Sequence, residues 1–213
     1  MPATLSVRSY REDDFDALSD LQRACFPPPF PSELWWRHEQ IRSHLAVFPA
    51  GALCAEVAGE IIGSATAHII NWQPENGPHT WSRVSDDGYL RNHERTGDTL
   101  YGVDIAVRPD YRRQGVARVL YQARFDLVCD LGLTRFMAGS RLAGYHHHRG
   151  LYTPESYADA VCRGVLTDPV ITPQLRAGLM PVQVVHGYLP DEEAGDCALL
   201  MEWCNPQRGK RAP

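Results

Sequence analysis

The chain has 213 residues, 44% of them hydrophobic and 22% charged, and a formal net charge of -5. Its length bounds it to one large domain or two small ones, and its composition excludes the disordered and fibrous classes. An acidic balance without a basic block argues against nucleic acid as a partner, since phosphate recognition needs a cationic footprint.

The six cysteines form no CxxC pair and stand mostly in apolar runs such as DLVCDLG, which suits free thiols in a reducing cytoplasm. No apolar run approaches the ~20 residues of a membrane span, and the first residues lack the apolar centre of a signal peptide. The reading is a cytoplasmic protein with small-molecule partners.

TLSVRSY alternates apolar and polar residues and predicts a first strand. In REDDFDALSDLQRACF, Phe15, Leu18, Leu21 and Cys25 recur at helical spacing. PPPFPSELWWRHEQIRSHLAVFP predicts a stiff rim followed by a helix that Ser32 caps and Pro49 ends. ALCAEVAGEIIGSATAHIINW reads as a hairpin turning at Ala58, Gly59 and Glu60. The polar, Gly-rich stretch that follows lacks periodicity, and long loops inside compact domains are often functional.

A strand over Thr99 to Val107 comes next, then a helix from Val116 to Leu131 with an apolar stripe at Val116, Leu120, Ala123, Leu127 and Leu131 and with Gly132 as its C-cap. TRFMAGSRL predicts a strand, TPESYADAVCRG a helix with Thr153 and Ser156 as competing caps, and VITPQLRAGL a second short helix. MPVQVVHGYL and CALLMEW are closing strands around an acidic turn, Pro190 to Asp196. A single domain over residues 1–205 and a disordered tail over 206–213 complete the prediction.

Between the Thr99 strand and the Val116 helix stand Arg112, Arg113, Gln114, Gly115, Val116 and Ala117. A helix N-terminus offers unpaired N–H groups and a positive dipole end, so a small-residue loop before it wraps donors around an anion. Gly115 permits positive φ, and the arginines add charge-assisted donors. The spacing matches neither a P-loop nor a G-x-G-x-x-G turn.

The pattern Arg112-x-x-Gly115-x-Ala117, behind VDIAV and before an amphipathic helix, resembles the coenzyme A pyrophosphate loop of the GNAT acyltransferase superfamily. The element order agrees over nearly the whole chain. PHTW, GDTLYGVDIAVRPDYRRQGVARVLYQAR, GSRLAGYH, DPVITPQL and YLPDEE look like the GNAT domain fused, in some bacterial proteins, to a nitrilase-type carbon–nitrogen hydrolase, from about Cys54 to Pro206. The resemblance implies an α/β (α+β) GNAT fold: a mixed, mostly antiparallel, splayed sheet of about seven strands flanked by helices. It implies acetyl-CoA as cosubstrate, with main-chain groups of Ile105, Ala106 and Val107 pairing with pantetheine and the N–H groups from Arg113 to Ala117 holding the pyrophosphate. It also favours a homodimer. The function expected is direct acetyl transfer to the amine of a small acceptor. The alternative is a non-catalytic acyl-CoA-binding module that partners a carbon–nitrogen hydrolase.

Transfer to an amine needs a base, and Asp104 is the candidate, placed by strand alternation on one face with Gly102 and Ala106 while Val103, Ile105 and Val107 take the other. The rival role for Asp104 is capping a bulge or pairing with an arginine. Many GNAT enzymes protonate the thiolate with a last-helix tyrosine; here Gln174 stands there, so Tyr145 becomes the candidate acid, with Tyr152 as substitute. Trp36 with Trp35 offers an aromatic wall for the acceptor; His79, Trp81 and His93 lie in the long connection, and Arg141 is a candidate for an anionic acceptor or the cofactor. His146, His147 and His148 are consecutive and lack completing ligands, so no metal is expected.

Overall fold

The computed structural model describes residues 4–73 and 79–208. β1 (Ser6–Ser9) leads into α1 (Phe15–Cys25) and α2 (His38–Val47), followed by the hairpin of β2 (Ala52–Val57) and β3 (Glu60–Ile70). Then come α3 (Trp81–Ser85), β4 (Thr99–Val107), α4 (Val116–Asp130), β5 (Arg135–Arg141), α5 (Pro154–Cys162), α6 (Ile171–Arg176), β6 (Met180–Val185) and β7 (Ala198–Cys204). The seven strands form one sheet in the order β1-β2-β3-β4-β5-β7-β6. Its pairs are antiparallel except β4 and β5, which run parallel across the α4 connection.

Two layers cover the sheet. Leu18, Leu21, Trp36, Ile41 and Val84 of the α1 to α3 side pack with Tyr101, Val103 and Met137 on one face. On the other face Tyr121, Phe125 and Val128 of α4 meet Tyr157, Val161 and Ile171 of α5 and α6 over Phe136 and Leu199. Among the described residues no helix is long and apolar enough to cross a membrane.

Local chemistry explains several boundaries. Ala58 and Gly59 both adopt positive φ (53° and 82°), the combination a two-residue hairpin with strand-matching twist requires, so Glu60 already belongs to β3. Thr153 and Ser156 do not compete: Thr153 Oγ1 accepts from the Ser156 amide while Ser156 Oγ accepts from the Thr153 amide, a reciprocal cap. Gly132 takes φ of 65° just past α4, as expected of its C-cap.

Three expectations differ. Ser32 does not cap α2; it begins a 3-10 turn, the chain extends at Trp35, and the helix starts at His38. The cause is Trp36, whose amide donates to the buried Gln22 side chain on α1 (2.5 Å), drawing the chain inward before it can coil. The unpatterned connection contains α3, with Thr80 Oγ1 accepting from the Arg83 amide as its cap; residues 74–78 of that connection lie outside the described residues. Of the expected tail, Pro206 to Arg208 form a turn, and the rest also lies outside them.

Asp168 anchors the segment between β5 and α6. It is 2% exposed, and its carboxylate accepts from the amides of Gly144, Val170 and Ile171 and from Tyr157 O–H, at 2.7 to 2.9 Å. Asp168→Ala strands those buried donors, at 1.5 to 3 kcal/mol for a single charge-assisted bond, so a loss of about 3 kcal/mol or more is expected. Urea unfolding will read it as a lower midpoint at unchanged slope; a midpoint matching the parent chain would contradict the anchoring role.

Candidate active site

β4 and β5 pair only from Thr99 against Arg135 to Gly102 against Ala138. Beyond Gly102 the two strands separate, leaving one flank of β4 without a strand partner. The cause lies in the β3–β4 register: Thr66 faces Asp104 and Ala67 faces Gly102, so Val103 is an extra residue. Such a bulge bends its strand and sharpens the twist.

The bulge also corrects the expected alternation. Val103, Asp104 and Ala106 all face α1, with Val103 and Ala106 buried in that core, whereas Ile105 and Val107 pack toward α4. Gly102 faces α4 as well, where an added Cβ would lie 2.6 Å from Phe136. Asp104 therefore reaches the expected face beside Val103 rather than opposite to it.

The orphaned carbonyls of the bulge are met by Arg124, a fully buried α4 residue that the sequence reading passed over. Its guanidinium donates to Thr66 O (2.9 Å) and to Asp104 O, and it lies 5.4 Å from the Phe136 ring centroid. A charge inside an apolar helix stripe looks like a solvated position until the bulge beneath it is known.

Asp104 is held by neighbours from two elements. Its Oδ2 accepts from Trp36 Nε1 (3.0 Å) and Gln22 Nε2 (3.2 Å), and Oδ1 has no protein donor among the described residues. Burial raises the carboxyl to about 6, against the opposing pull of Arg124 and the two hydrogen bonds. The arginine beside it binds its main chain, and among the described residues no salt bridge joins the carboxylate to an arginine, so Arg124 acts on it only through its charge. Gln22, a further residue that periodicity did not single out, carries Trp36 N–H on one end of its amide and Asp104 on the other.

Trp36 is backed by His44, whose ring meets it edge-on at 4.9 Å. His44 Nε2 donates to Gly88 O (2.7 Å), so Nδ1 accepts from Tyr10 O–H (2.8 Å). Burial pushes that imidazole down to about 4, which keeps it neutral and its hydrogen-bond direction constant.

The expected substrate residues converge on this face in part. Trp81 lies 6.0 Å from Trp36 and donates through Nε1 to the Val103 carbonyl (3.1 Å). His79 Nε2 lies 2.7 Å from Tyr101 Oη. Trp35 is half-buried and donates to Phe26 O, and His93 accepts from the Ile69 amide and stacks on Phe48.

Arg141 grips the buried Asp191 with two bonds (2.5 and 2.9 Å) and Glu193 with a third (3.0 Å), tying β5 to the β6–β7 loop while lining the same cavity as Arg112. Tyr145 is buried against Tyr157, with its O–H donating to Tyr152 O at 3.2 Å. Gln174 links Tyr121 O–H (2.9 Å) to Ser140 Oγ (2.5 Å), so a buried amide stands on the last helix where a tyrosine is usual. Among the described residues no cluster of three or more His, Cys, Asp or Glu could hold a metal, and His146 bonds to Ala143 O.

At the outer end of the gap the loop before α4 takes the expected shape. Arg113 and Gly115 have φ of 62° and 87°, and the amides from Arg113 to Ala117 have no acceptor among the described residues. No acidic side chain stands in the first turn of α4. Arg108 N–H bonds to Ile62 O, so by alternation the Ala106 main chain pairs with Ser64 on β3, while Ile105 and Val107 turn theirs to the gap. Of the three residues expected to meet pantetheine through their main chain, Ala106 is thus already paired. Arg112 Nε donates to Val107 O (3.3 Å) from the gap side, beside a cavity of about 300 Å³ lined by Cys25, Phe26, Phe30, Arg112 and Arg141.

The domain is an α/β fold whose sheet opens beyond Gly102, with free amides before α4 and a half-buried carboxylate on β4. A family model described as "Acetyltransferase (GNAT) family" matches residues 15–153. The uncharacterized N-acetyltransferase YkwB of Bacillus subtilis (strain 168) is 43% identical over 201 residues, covering 94% of this chain and 89% of that protein. The probable hydrolase YhcX of the same strain is 40% identical over 210 residues, 96% of this chain but 40% of that longer protein. Among solved structures, the loading GNATL domain of CurA from Lyngbya majuscula superposes with a TM-score of 0.81 at 19% identity, covering 96% of this chain and 100% of that one. The GNAT-like decarboxylase GphF, in complex with isobutyryl-CoA, gives 0.75 at 20%, with 94% and 99% covered. The chain belongs to the GNAT acetyltransferase family and is an acyltransferase.

Proposed function

We propose that the chain binds acetyl-CoA in the gap between β4 and β5 and transfers the acetyl group directly to the amine of a small acceptor. The observation that carries this reading is the gap itself, with unpaired amides at its outer end and the Asp104 carboxylate near its inner end. Amides from Arg113 to Ala117 suit a pyrophosphate, and the main chains of Ile105 and Val107 suit the amides of pantetheine. Over the four residue steps from Val107 to Val103, about 13 Å of strand, such an arm would bring its thioester to the bulge.

Asp104 Oδ1 takes the proton that an incoming ammonium must lose before its nitrogen can attack. Trp36 and Gln22 hold the other oxygen and so aim the acceptor atom. Trp36 and Trp81 supply the flat walls of the acceptor side. Proximity within one gap lowers the barrier without a covalent acyl-enzyme. Cys25, which lines the outer cavity, supports that last point: burial pushes its thiol up to about 11, so it stays protonated and poorly nucleophilic.

Calorimetric titration of acetyl-CoA and free CoA, followed by thiol release across a panel of amines, tests the reading. Micromolar binding and amine-dependent release support it; failure of both ligands to bind overturns it. With a base near 6, kcat/KM should rise tenfold per pH unit below about pH 6 and level off above it, because the ionised carboxylate is the active form. A profile flat from pH 5 to pH 7 would remove Asp104 from the role.

A second reading, an acyl-CoA-binding module that supports a carbon–nitrogen hydrolase without transfer, draws on the likeness to part of the probable hydrolase YhcX. CoA binding with no thiol release for any amine supports this reading over the first.

A further inference from the structure

We propose that His79, Tyr101 and Tyr188 form a proton relay that delivers a proton to the departing CoA thiolate at the inner end of the gap. The inference rests on the acyl-transfer reading and supplies the acid that the last helix lacks.

The three side chains are in hydrogen-bond contact: His79 Nε2 lies 2.7 Å from Tyr101 Oη, which lies 3.0 Å from Tyr188 Oη. Their place is the vertex of the opening. Tyr101 precedes Gly102, the last β4 residue paired with β5. The Tyr188 ring stands on Gly139, the first β5 residue past that pairing, so closely that a Cβ there would lie 2.2 Å from it. Tyr101 belongs to the same core face as Val103 and Ala106, the face on which Asp104 meets Trp36. Asp104 and the tyrosine pair thus flank the vertex, one beside the β4 bulge and the other over β5. The Tyr188 carbonyl accepts from Trp81 N–H (2.7 Å), which ties the relay to the aromatic wall.

Direction follows from donor counting. Burial pushes His79 down to about 4, so its ring is neutral and carries one N–H. When Nε2–H donates to Tyr101, Tyr101 O–H donates to Tyr188, and Tyr188 O–H has no further acceptor among the described residues. That hydrogen is the one left for an acceptor in the gap. His79 is half-buried, and Nδ1 has no protein partner among the described residues, so it can exchange with water. Burial raises both phenols far above their ordinary value, which keeps them protonated.

As the C–S bond breaks, sulfur keeps the electron pair and takes the Tyr188 proton. Tyr188 takes that of Tyr101, Tyr101 that of His79 Nε2, and His79 takes one from solvent at Nδ1. The shift leaves no phenolate, so the high phenol pKa does not obstruct it. Asp104 releases the amine's proton to solvent, which balances the cycle, and exchange at Nδ1 with hydroxyl rotation restores the starting tautomer.

The test titrates the thiol of free CoA bound to the full chain, read by thiolate ultraviolet absorbance, in the parent protein and in Tyr188→Phe, which keeps the ring on Gly139. One hydrogen bond to a charged acceptor predicts about a tenfold smaller thiolate fraction in the variant at a given pH, with CoA affinity retained. Turnover should fall about 100-fold. His79→Gln, able to donate to Tyr101 but not to pass a proton, should keep the thiolate fraction and lose turnover. Identical thiol titration in parent and Tyr188→Phe, with CoA bound in both, overturns the relay and leaves acyl transfer standing. Loss of the thiolate shift in Tyr145→Phe rather than Tyr188→Phe also overturns it. Absence of CoA binding to the parent chain overturns both readings.

Discussion

Asp104→Asn should lower kcat by about 100-fold or more while leaving the KM for acetyl-CoA within about twofold of the parent value. Asparagine has the same shape, and its side-chain oxygen still accepts from Trp36 Nε1 and Gln22 Nε2, so the acceptor wall keeps its form. Arg124 binds the main-chain oxygen of residue 104 and not the carboxylate, so its anchorage survives as well. What the amide cannot do is take a proton. The variant's rate should therefore climb with pH as the acceptor amine deprotonates by itself, where the parent has already levelled above about pH 6. Stopped assays of thiol release from pH 5 to pH 10 distinguish the two shapes. Equal kcat at pH 7 would show that another group is the base.

Gly115→Glu should weaken free CoA by about 100-fold or more. Nothing lies within 4 Å of a Cβ built on Gly115, so the protein has room for the side chain; the obstacles are its φ of 87° and its charge. The left-handed backbone costs an ordinary residue about 1 to 2 kcal/mol, and a carboxylate beside a pyrophosphate adds roughly 3 kcal/mol of repulsion at the effective dielectric of a protein surface. The second effect acts on binding directly and corresponds to about two decades of affinity. Gly115→Asn separates the two, because asparagine tolerates the left-handed region and brings no charge. Calorimetry should show near-parent affinity for the asparagine variant and loss for the glutamate one. Comparable binding by both would move the phosphate seat away from this loop.

Much of the architecture was legible because it rests on short-range patterns. The hairpin at Ala58–Gly59, the positive φ at Gly115 and the cap at Thr153 each follow from residues close together in the chain, whereas the expected α4 stripe is displaced: Tyr121, Arg124, Phe125 and Val128 are buried with Val116 and Leu120, and Leu131 is exposed. The loop from Arg113 to Ala117 was legible for the same reason, since a run of free amides before a helix is a local property. Asp104 was singled out by its place in a strand, although the bulge puts it beside Val103.

Element order, the positive-φ loop before α4 and a carboxylate on β4 are readable from the chain alone, because helix period, strand period and turn conformation act between near neighbours. The groups around that carboxylate come from chain packing. A single extra residue at Val103 rephased β4 against β3, and alternation alone cannot show that, because register belongs to two strands. Gln22 and Trp36 meet Asp104 across 82 and 68 residues of chain, and Arg124 is buried only because the bulge frees carbonyls for it. Arg141 meets Asp191 across 50 residues of chain. His79, Tyr101 and Tyr188 come from a connection, a strand and a closing loop. Hydrogen bonds and desolvation act through space, so the polarity and protonation of a site are set by whichever distant segments packing brings to it.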